Sequence, residues 1–277
     1  MYISKSRYLT RGEVWFDDDP GDMRSVDWIV YHQRSRPAPG SKWRYFYTYV
    51  VDLAQSTETL LSRLGPNTAY KIRRARERDR IICERCDSSD PIVLDRLEEM
   101  YDLFAAAKGL GPLDRAQLDS IAANGALDLS VAKDPQGNAL VYHADYRDQR
   151  RARGLYLPSL YRNLSDSAAR NLIGRANRYL TWSDLLRYKD AGLTCYDFGG
   201  WYHGTDPGML KINEFKSGFG GQVLREYECE QILTLKAWVV LHVAKLLKQA
   251  KLLRSGPNRA PNWAPTETQQ PEAVPSA

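Results

Sequence analysis

The chain has little cysteine: Cys83, Cys86, Cys195 and Cys229 are all it carries in 277 residues. That excludes the dense disulfide framework that staples small secreted domains. Cys83 and Cys86 form a single C-x-x-C, but IICERC reads as a strand, which sends the two thiols to opposite faces. A zinc site needs two further ligands at suitable spacing, and no such pair accompanies them, so no metal is expected. Long apolar runs are missing as well. No stretch of about 18 apolar residues occurs, so no membrane-spanning helix is expected. The opening MYISKSRYLTRGEVW has no apolar core, which argues against a secretory leader. Together these absences make the reducing cytoplasm the expected compartment, with membrane association open through the C-terminal region.

What is present suits a folded domain. Apolar residues make up 43% and charged residues 26%, enough for a core under a polar surface. Tyrosine is frequent at 17, alongside seven tryptophans, and such rings fill cores or line ligand clefts. The net charge of +5 favours anionic partners such as phosphates, RNA or lipid headgroups.

The chain divides into four expected regions. Residues 1–79 read as an N-terminal extension or remnant lobe. Its first 23 residues, polar and acidic around DDDPGD, form an irregular lead-in. Two β-rich pieces follow, VDWIVYHQ and WRYFYTYVVDL, then a helix capped by Ser56 and a basic helix opening at Asn67. Residues 80–232 read as the main domain. Here the strand IICERC precedes two helices, three strands joined by tight turns, a long helix capped near Ser165 and stopped at Gly192, and the strand LTCYDFGG. DPGMLKINEFKSG follows as a short helix or loop, and GQVLREYECEQIL as a final strand. Residues 233–254 read as an amphipathic basic helix, and the proline-rich 255–277 as a disordered tail. This order suits a mixed sheet flanked by helices, which is also the element order of GNAT-type acyltransferases.

Several stretches carry chemistry. In NALVYHADYRD, His143 and Asp145 share one face of a strand, so an imidazole and a carboxylate lie side by side. The pair suits general-base work on an amine or hydroxyl, or satisfies hydrogen bonds at the end of a sheet. Pro158 in RGLYLPSLYR implies an edge or bulge, with Tyr156 and Ser159 beside freed backbone groups. The long helix opens with SDSAARNLIGRAN, placing Arg170 near its N-terminus and Asn177 further along, facing either core or site. The glycine-rich Q/R-x-x-G-x-G/A loop expected for coenzyme A pyrophosphate is missing; Gly174 stands alone inside the helix. KIRRARERDR offers Lys71, Arg73 and Arg74 as phosphate or RNA contacts, or as a solvated helix face. In the last helix, basic residues recur through an apolar sequence and suit peripheral contact with an anionic membrane, or a helix docked on the sheet.

The densest stretch is YDFGGWYHGTDPGMLKINEFKSGFGG, Tyr196–Gly221. With ANRYLTW and the upstream KIRRA it resembles the Fem-type peptidoglycan aminoacyltransferases and their single-domain relatives in the GNAT superfamily, over roughly residues 50–230. The resemblance implies an α/β (α+β) fold, a GNAT-like mixed, mostly antiparallel twisted sheet flanked by helices. Fem enzymes carry two GNAT-like domains; this chain has room for one and a remnant. The resemblance also implies an N-acyltransferase that moves an acyl or aminoacyl group to a small-molecule amine, in envelope or secondary-metabolite biosynthesis. It implies no permanently bound cofactor, with acyl-CoA or aminoacyl-tRNA as co-substrate. Lys216, in the FK position after Phe215, would stabilise the oxyanion or a donor phosphate. Asp197 and Phe198 end the strand, with Asp197 facing the acceptor and Phe198, like Phe215, in contact with substrate; Gly199 and Gly200 permit close approach, and Trp201, Tyr202 and His203 wall the cleft. The alternative is a non-catalytic GNAT-fold module that holds RNA or an anionic surface.

Overall fold

The computed structural model describes residues 1–6, 8–160 and 166–254, with side chains described as far as Leu247. The expected tail at 255–277 and the expected cap Ser165 lie outside the described residues. The chain forms two compact units, Thr48–Leu224 and Met1–Tyr47 together with the chain from Arg225 onward. This moves the expected boundaries at 79/80 and 232/233. The helices that precede Arg80 pack with the larger unit, and the last strand is shared.

In the unit built on the chain ends, strands are β1 (Tyr2–Lys5), β2 (Thr10–Trp15), β3 (Trp28–Arg34), the first part of β4 (Lys42–Asp52) and most of β10 (Gln222–Ile232). β1 and β2 replace the irregular lead-in expected over residues 1–23. β2 pairs antiparallel with β1 and parallel with β3, and Val14 and Trp15 become buried. Tertiary pairing overrides the local polarity there. β10 runs antiparallel to β3. Helix α7 (Leu235–Arg254) follows, its first turn capped by Thr234, whose Oγ1 accepts from the Ala237 amide and donates to Asp27.

In the unit Thr48–Leu224, α1 (Thr57–Arg63) and α2 (Pro66–Glu77) precede β5 (Ile82–Cys86), α3 (Pro91–Lys108), α4 (Arg115–Ala123), β6 (Leu127–Lys133), β7 (Ala139–Arg147) and β8 (Arg151–Tyr156). Then come α5 (Ser167–Asp190), β9 (Cys195–Gly200) and α6 (Pro207–Ser217). Local chemistry accounts for the helix starts. Ser56, Asp90, Asp114, Asp166 and Asp206 accept hydrogen bonds from the exposed amides of α1, α3, α4, α5 and α6. α2 opens with Pro66 after Gly65, one residue ahead of the expected Asn67.

The strand order in this unit is β4-β9-β8-β7-β6-β5, antiparallel throughout except for the parallel pair β8–β9. α5 crosses β6 and β7 and packs against α2. Ile72 of α2, Trp182 and Leu185 of α5, and Tyr196 and Phe198 of β9 share one core. Trp182 therefore packs in the interior. The result is the mixed, mostly antiparallel sheet with flanking helices that the sequence implied.

Candidate active site

β8 and β9 run side by side only from Arg151–Cys195 to Arg153–Asp197. Beyond that point both strands bulge. On β8, Gly154 and Tyr156 face consecutive residues of β7, so Leu155 is extra. On β9, Phe198 and Gly199 stand opposite the single residue Tyr49 of β4. A bulge bends its strand and breaks the ladder, so two parallel neighbours that bulge at the same level part like a wedge. The bulge and early strand end near Pro158 agree with the expectation from its ring.

Gly199 makes the second bulge possible. Its φ is +72°, a region that disfavours side chains, and a Cβ there would press on Arg153 Nη2 at 3.3 Å. The bulge turns two carbonyls toward α6. Lys216 Nζ donates to Gly199 O at 3.2 Å and to Gly200 O at 2.5 Å. This explains why a YDFGG strand and an FK helix occur together: the glycines build the acceptor pair for the lysine. The ammonium has three N–H donors, and the third has no partner among the described residues. Burial pushes the Lys216 pKa down to about 8, with Arg153 adding to the effect and Asp197 opposing it. Lys216 is only 7% exposed, so this amine meets little water.

Asp197 lies at the root of the wedge and is completely buried. It accepts from Thr48 Oγ1 and from the Gly199 amide at 2.7 Å, and pairs with Arg151 Nη2 at 2.5 Å. Burial alone would raise its pKa, but the Arg151 and Arg153 charges and these hydrogen bonds hold it below the usual carboxylate range. The expectation that Asp197 faces the acceptor is therefore corrected: it is a sealed anion that fixes the bulge and the cations around it. Phe198 is corrected too. It packs against Tyr196, Phe219 and Phe215 in the core, because it lies two residues after Tyr196 on the same inward face of β9. Trp201 stacks on Tyr49 with ring centres 5.0 Å apart and is half-buried. Tyr202 instead ties its loop to α6, exchanging backbone hydrogen bonds with the Asn213 amide side chain. His203 is exposed.

The His143–Asp145 expectation is overturned as a general base. Both residues lie on the face of β7 covered by α5, and neither meets solvent. His143 Nδ1 contacts Asp184 Oδ2 at 2.8 Å and Nε2 contacts Asn177 Oδ1 at 3.1 Å, so both ring nitrogens are taken. Burial works against charging the ring, but the Asp184 hydrogen bond and charge outweigh it and raise its pKa. Asp145 accepts from Tyr188 Oη at 2.7 Å; burial, with the Asp184 charge, pushes its pKa up to about 7. Sequence spacing placed these two side by side correctly, but it could not show that a helix covers them. The side-chain oxygen of Asn177 is thereby engaged by His143.

The remaining candidates fall in two places. Tyr156 turns toward α3 and α4, its ring edge-on to Tyr101 at 4.9 Å and its hydroxyl donating to Gln117. Ser159 is buried beside Val141 of β7. Neither belongs to the surroundings of Lys216. On the other side, Lys71 of α2 has its pKa lowered by burial and then by the charges of Arg178 and Arg175 of α5. The Arg178 guanidinium lies 4.9 Å from the centre of the Phe215 ring, next to Lys216 in sequence. Arg175 is paired with Asp79, which leaves Lys71 and Arg178 as the cations on the Phe215 side of α2 and α5. Arg74 takes part in an exposed contact with Tyr70, Arg73 is exposed, and Arg170 sits half-buried in the first turn of α5. Sequence reading missed Thr48, Arg151, Arg153 and Arg178. The one available signal was RAR at 151–153, a charged run on what must become a strand beside YDFGG. Among the described residues no cluster of histidine, cysteine and acidic groups is placed to hold a metal ion.

Comparison with solved structures places this fold. The chain superimposes on FemX with a TM-score of 0.56 at 16% identity, over 73% of this chain and 64% of FemX. It superimposes on the C-terminal domain of a candidate lysylphosphatidylglycerol synthetase from Agrobacterium fabrum with a TM-score of 0.51 at 15% identity, over 88% of this chain and 84% of that one. L-PGS from Bacillus licheniformis gives 0.51 at 14% identity, over 87% and 84%. The chain has a Fem-like, GNAT-type acyltransferase fold, and it spans less than two thirds of FemX. No protein-family model matches it, and no curated protein matches it in sequence.

Proposed function

We propose that the unit Thr48–Leu224 transfers an acyl or aminoacyl group from an activated donor to a small-molecule amine in the wedge between β8 and β9. The observation that carries this reading is Lys216. A buried ammonium, held by two carbonyls at the bulge with its third N–H unclaimed among the described residues, is a preorganised donor for an oxygen that becomes negative. The acceptor nitrogen attacks the carbonyl carbon, and the carbonyl oxygen takes the Lys216 hydrogen bond as its charge grows. The C–N bond forms and the bond to the donor's sulfur or ribose oxygen breaks. With His143 sealed, the amine proton passes to that departing atom or to water. Wedge-edge backbone groups orient the donor, and Trp201 borders the acceptor.

Lys71, and Arg178 over the Phe215 ring, favour a donor with phosphates and a stacking base, such as the end of an aminoacyl-tRNA. The missing pyrophosphate loop at the start of α5 weighs against coenzyme A.

Calorimetric titration with acetyl-CoA, and with charged and uncharged tRNA at two salt concentrations, tests the reading. Tighter binding of charged than uncharged tRNA supports aminoacyl transfer. Saturable acetyl-CoA binding supports acyl transfer from a thioester. Equal, salt-sensitive binding of both tRNAs with no coenzyme A binding would make the protein an RNA-holding module.

A further inference from the structure

Helix α7 presents apolar side chains on the side turned away from its own unit. Ala237 is fully buried, and Val240 and Leu241 are half-buried, which marks the inward side. Counted at about 100° per residue, Leu235, Val239, Val243 and Leu246 fall roughly 160–240° away from Ala237. They are 77%, 46%, 49% and 63% exposed. Leu247 and Trp238 widen the stripe on either side, both at least half exposed. A surface helix ordinarily shows the reverse, with apolar residues inward and polar ones outward. A contiguous exposed apolar stripe marks an interaction surface.

The charge on this helix is of one sign. Residues 235–254 contain Lys236, Lys245, Lys248, Lys251 and Arg254, and neither aspartate nor glutamate. Lys245 falls at roughly 80° on the same count and flanks the stripe, whereas Lys236 is paired with Asp27 at 2.9 Å. Beside the helix lies a groove of about 370 Å³ with Lys42, Trp238, His242 and Lys245 on its walls and Glu230 opposite them in charge.

We propose that α7 docks this protein on an anionic lipid membrane. The helix lies in the plane of the interface, its stripe toward the acyl chains and Lys245 at headgroup phosphates. At 20 residues, about 30 Å of helix, it is an interfacial element; no helix among the described residues is long and apolar enough to cross a membrane. A second copy of the chain is a poorer occupant, because pairing α7 with α7 would juxtapose two helices of like charge. RNA would match the lysines but leave the apolar stripe in water. The inference stands on the unit that holds α7 and is independent of the acyl-transfer reading.

The test is co-sedimentation of the full chain with phosphatidylcholine vesicles and with mixed phosphatidylcholine–phosphatidylserine vesicles. Binding is expected to the anionic vesicles only and to weaken as salt rises. Lys245→Gln should weaken it about fivefold, and Val239→Glu with Leu246→Glu should abolish it. These residues are exposed, so unchanged melting curves will separate lost docking from lost folding. The proposal is overturned by absence of anionic-vesicle binding, or by equal binding to neutral vesicles. It is also overturned if the chain is a dimer that the Val239→Glu, Leu246→Glu pair dissociates, which would assign the stripe to a second copy. Vesicle binding unaffected by that pair would move the docking surface elsewhere and overturn it as well.

Discussion

Replacing Lys216 by methionine separates catalysis from stability at one atom. Methionine keeps the length and apolar stem of lysine but carries no charge. Moving the lysine pKa from 10.5 to about 8 corresponds to about 3 kcal/mol working against the buried ammonium, and the substitution removes that burden. It also leaves the Gly199 and Gly200 carbonyls without their donor, at a cost of about 1–3 kcal/mol each if no water replaces it. The two effects oppose each other, so thermal stability should change little. Transfer should not survive as well: loss of one oxyanion donor typically lowers kcat by about 100- to 1,000-fold. The assay is single-turnover transfer to an amine panel from whichever donor binds, run beside thermal melts of both proteins. Turnover within about threefold of the parent, in a protein that melts normally, would refute the assignment of Lys216. A collapse of the melt would instead mean that the lysine is chiefly a structural cation for the bulge.

Four further outcomes follow from the same geometry. Because Lys216 acts as an ammonium, kcat/KM should fall as pH rises through about 8, and lysine side-chain NMR of the free protein should show a titration near that value. Folded Asp145 keeps its proton up to about pH 7, whereas the unfolded carboxyl loses it near 3.8, so stability should decline as pH rises through that window. The raised pKa of His143 acts in the same direction, its contribution complete below pH 6.5 and lost above it; Asp145→Asn should flatten the melting-temperature profile between pH 4 and 7. Arg151→Met leaves the buried Asp197 carboxylate with one cation fewer and should lower unfolding free energy by about 3 kcal/mol in urea titrations; a change under about 1 kcal/mol would mean Arg153 and Thr48 suffice. His143→Ala should lower the melting temperature by breaking the Asp184–Asn177 connection, yet leave turnover per folded molecule intact; abolished turnover in a well-folded variant would restore the histidine as a base.

The two bulges give the site its economy. A pair of parallel strands with continuous pairing offers a substrate no free backbone. Here, pairing stops at Arg153–Asp197, and the same β9 bulge that opens the wedge turns carbonyls onto the lysine. Gly221 serves a related purpose at the start of β10. A Cβ there would stand 2.0 Å from the Val50 carbonyl oxygen, so only glycine lets that strand lie against β4 within this unit.

Much of this was legible in the amino-acid order because its causes are local. Ser56 caps a helix wherever an amide two or three residues on is free, and a glycine before a new strand ends one. The YDFGG and FK pieces carried the lysine, the glycines and the fold type, since a positive-φ bulge and a helix that returns a lysine to it must be written as those residues. Other features depend on partners distant in the chain. Thr10–Trp15 became a strand only because β1 and β3 supply its hydrogen bonds. His143 and Asp145 share a face by strand period alone, but whether that face meets substrate or a helix depends on α5, some forty residues away. Arg151 and Thr48 meet Asp197 from either side, brought there by strands β8 and β4. Sequence by itself determined which residues can bulge, cap and carry charge, since those are properties of single side chains and their neighbours. Tertiary structure alone decided which charges are buried and which lysine meets two carbonyls, because burial and pairing belong to distances between residues far apart in the chain.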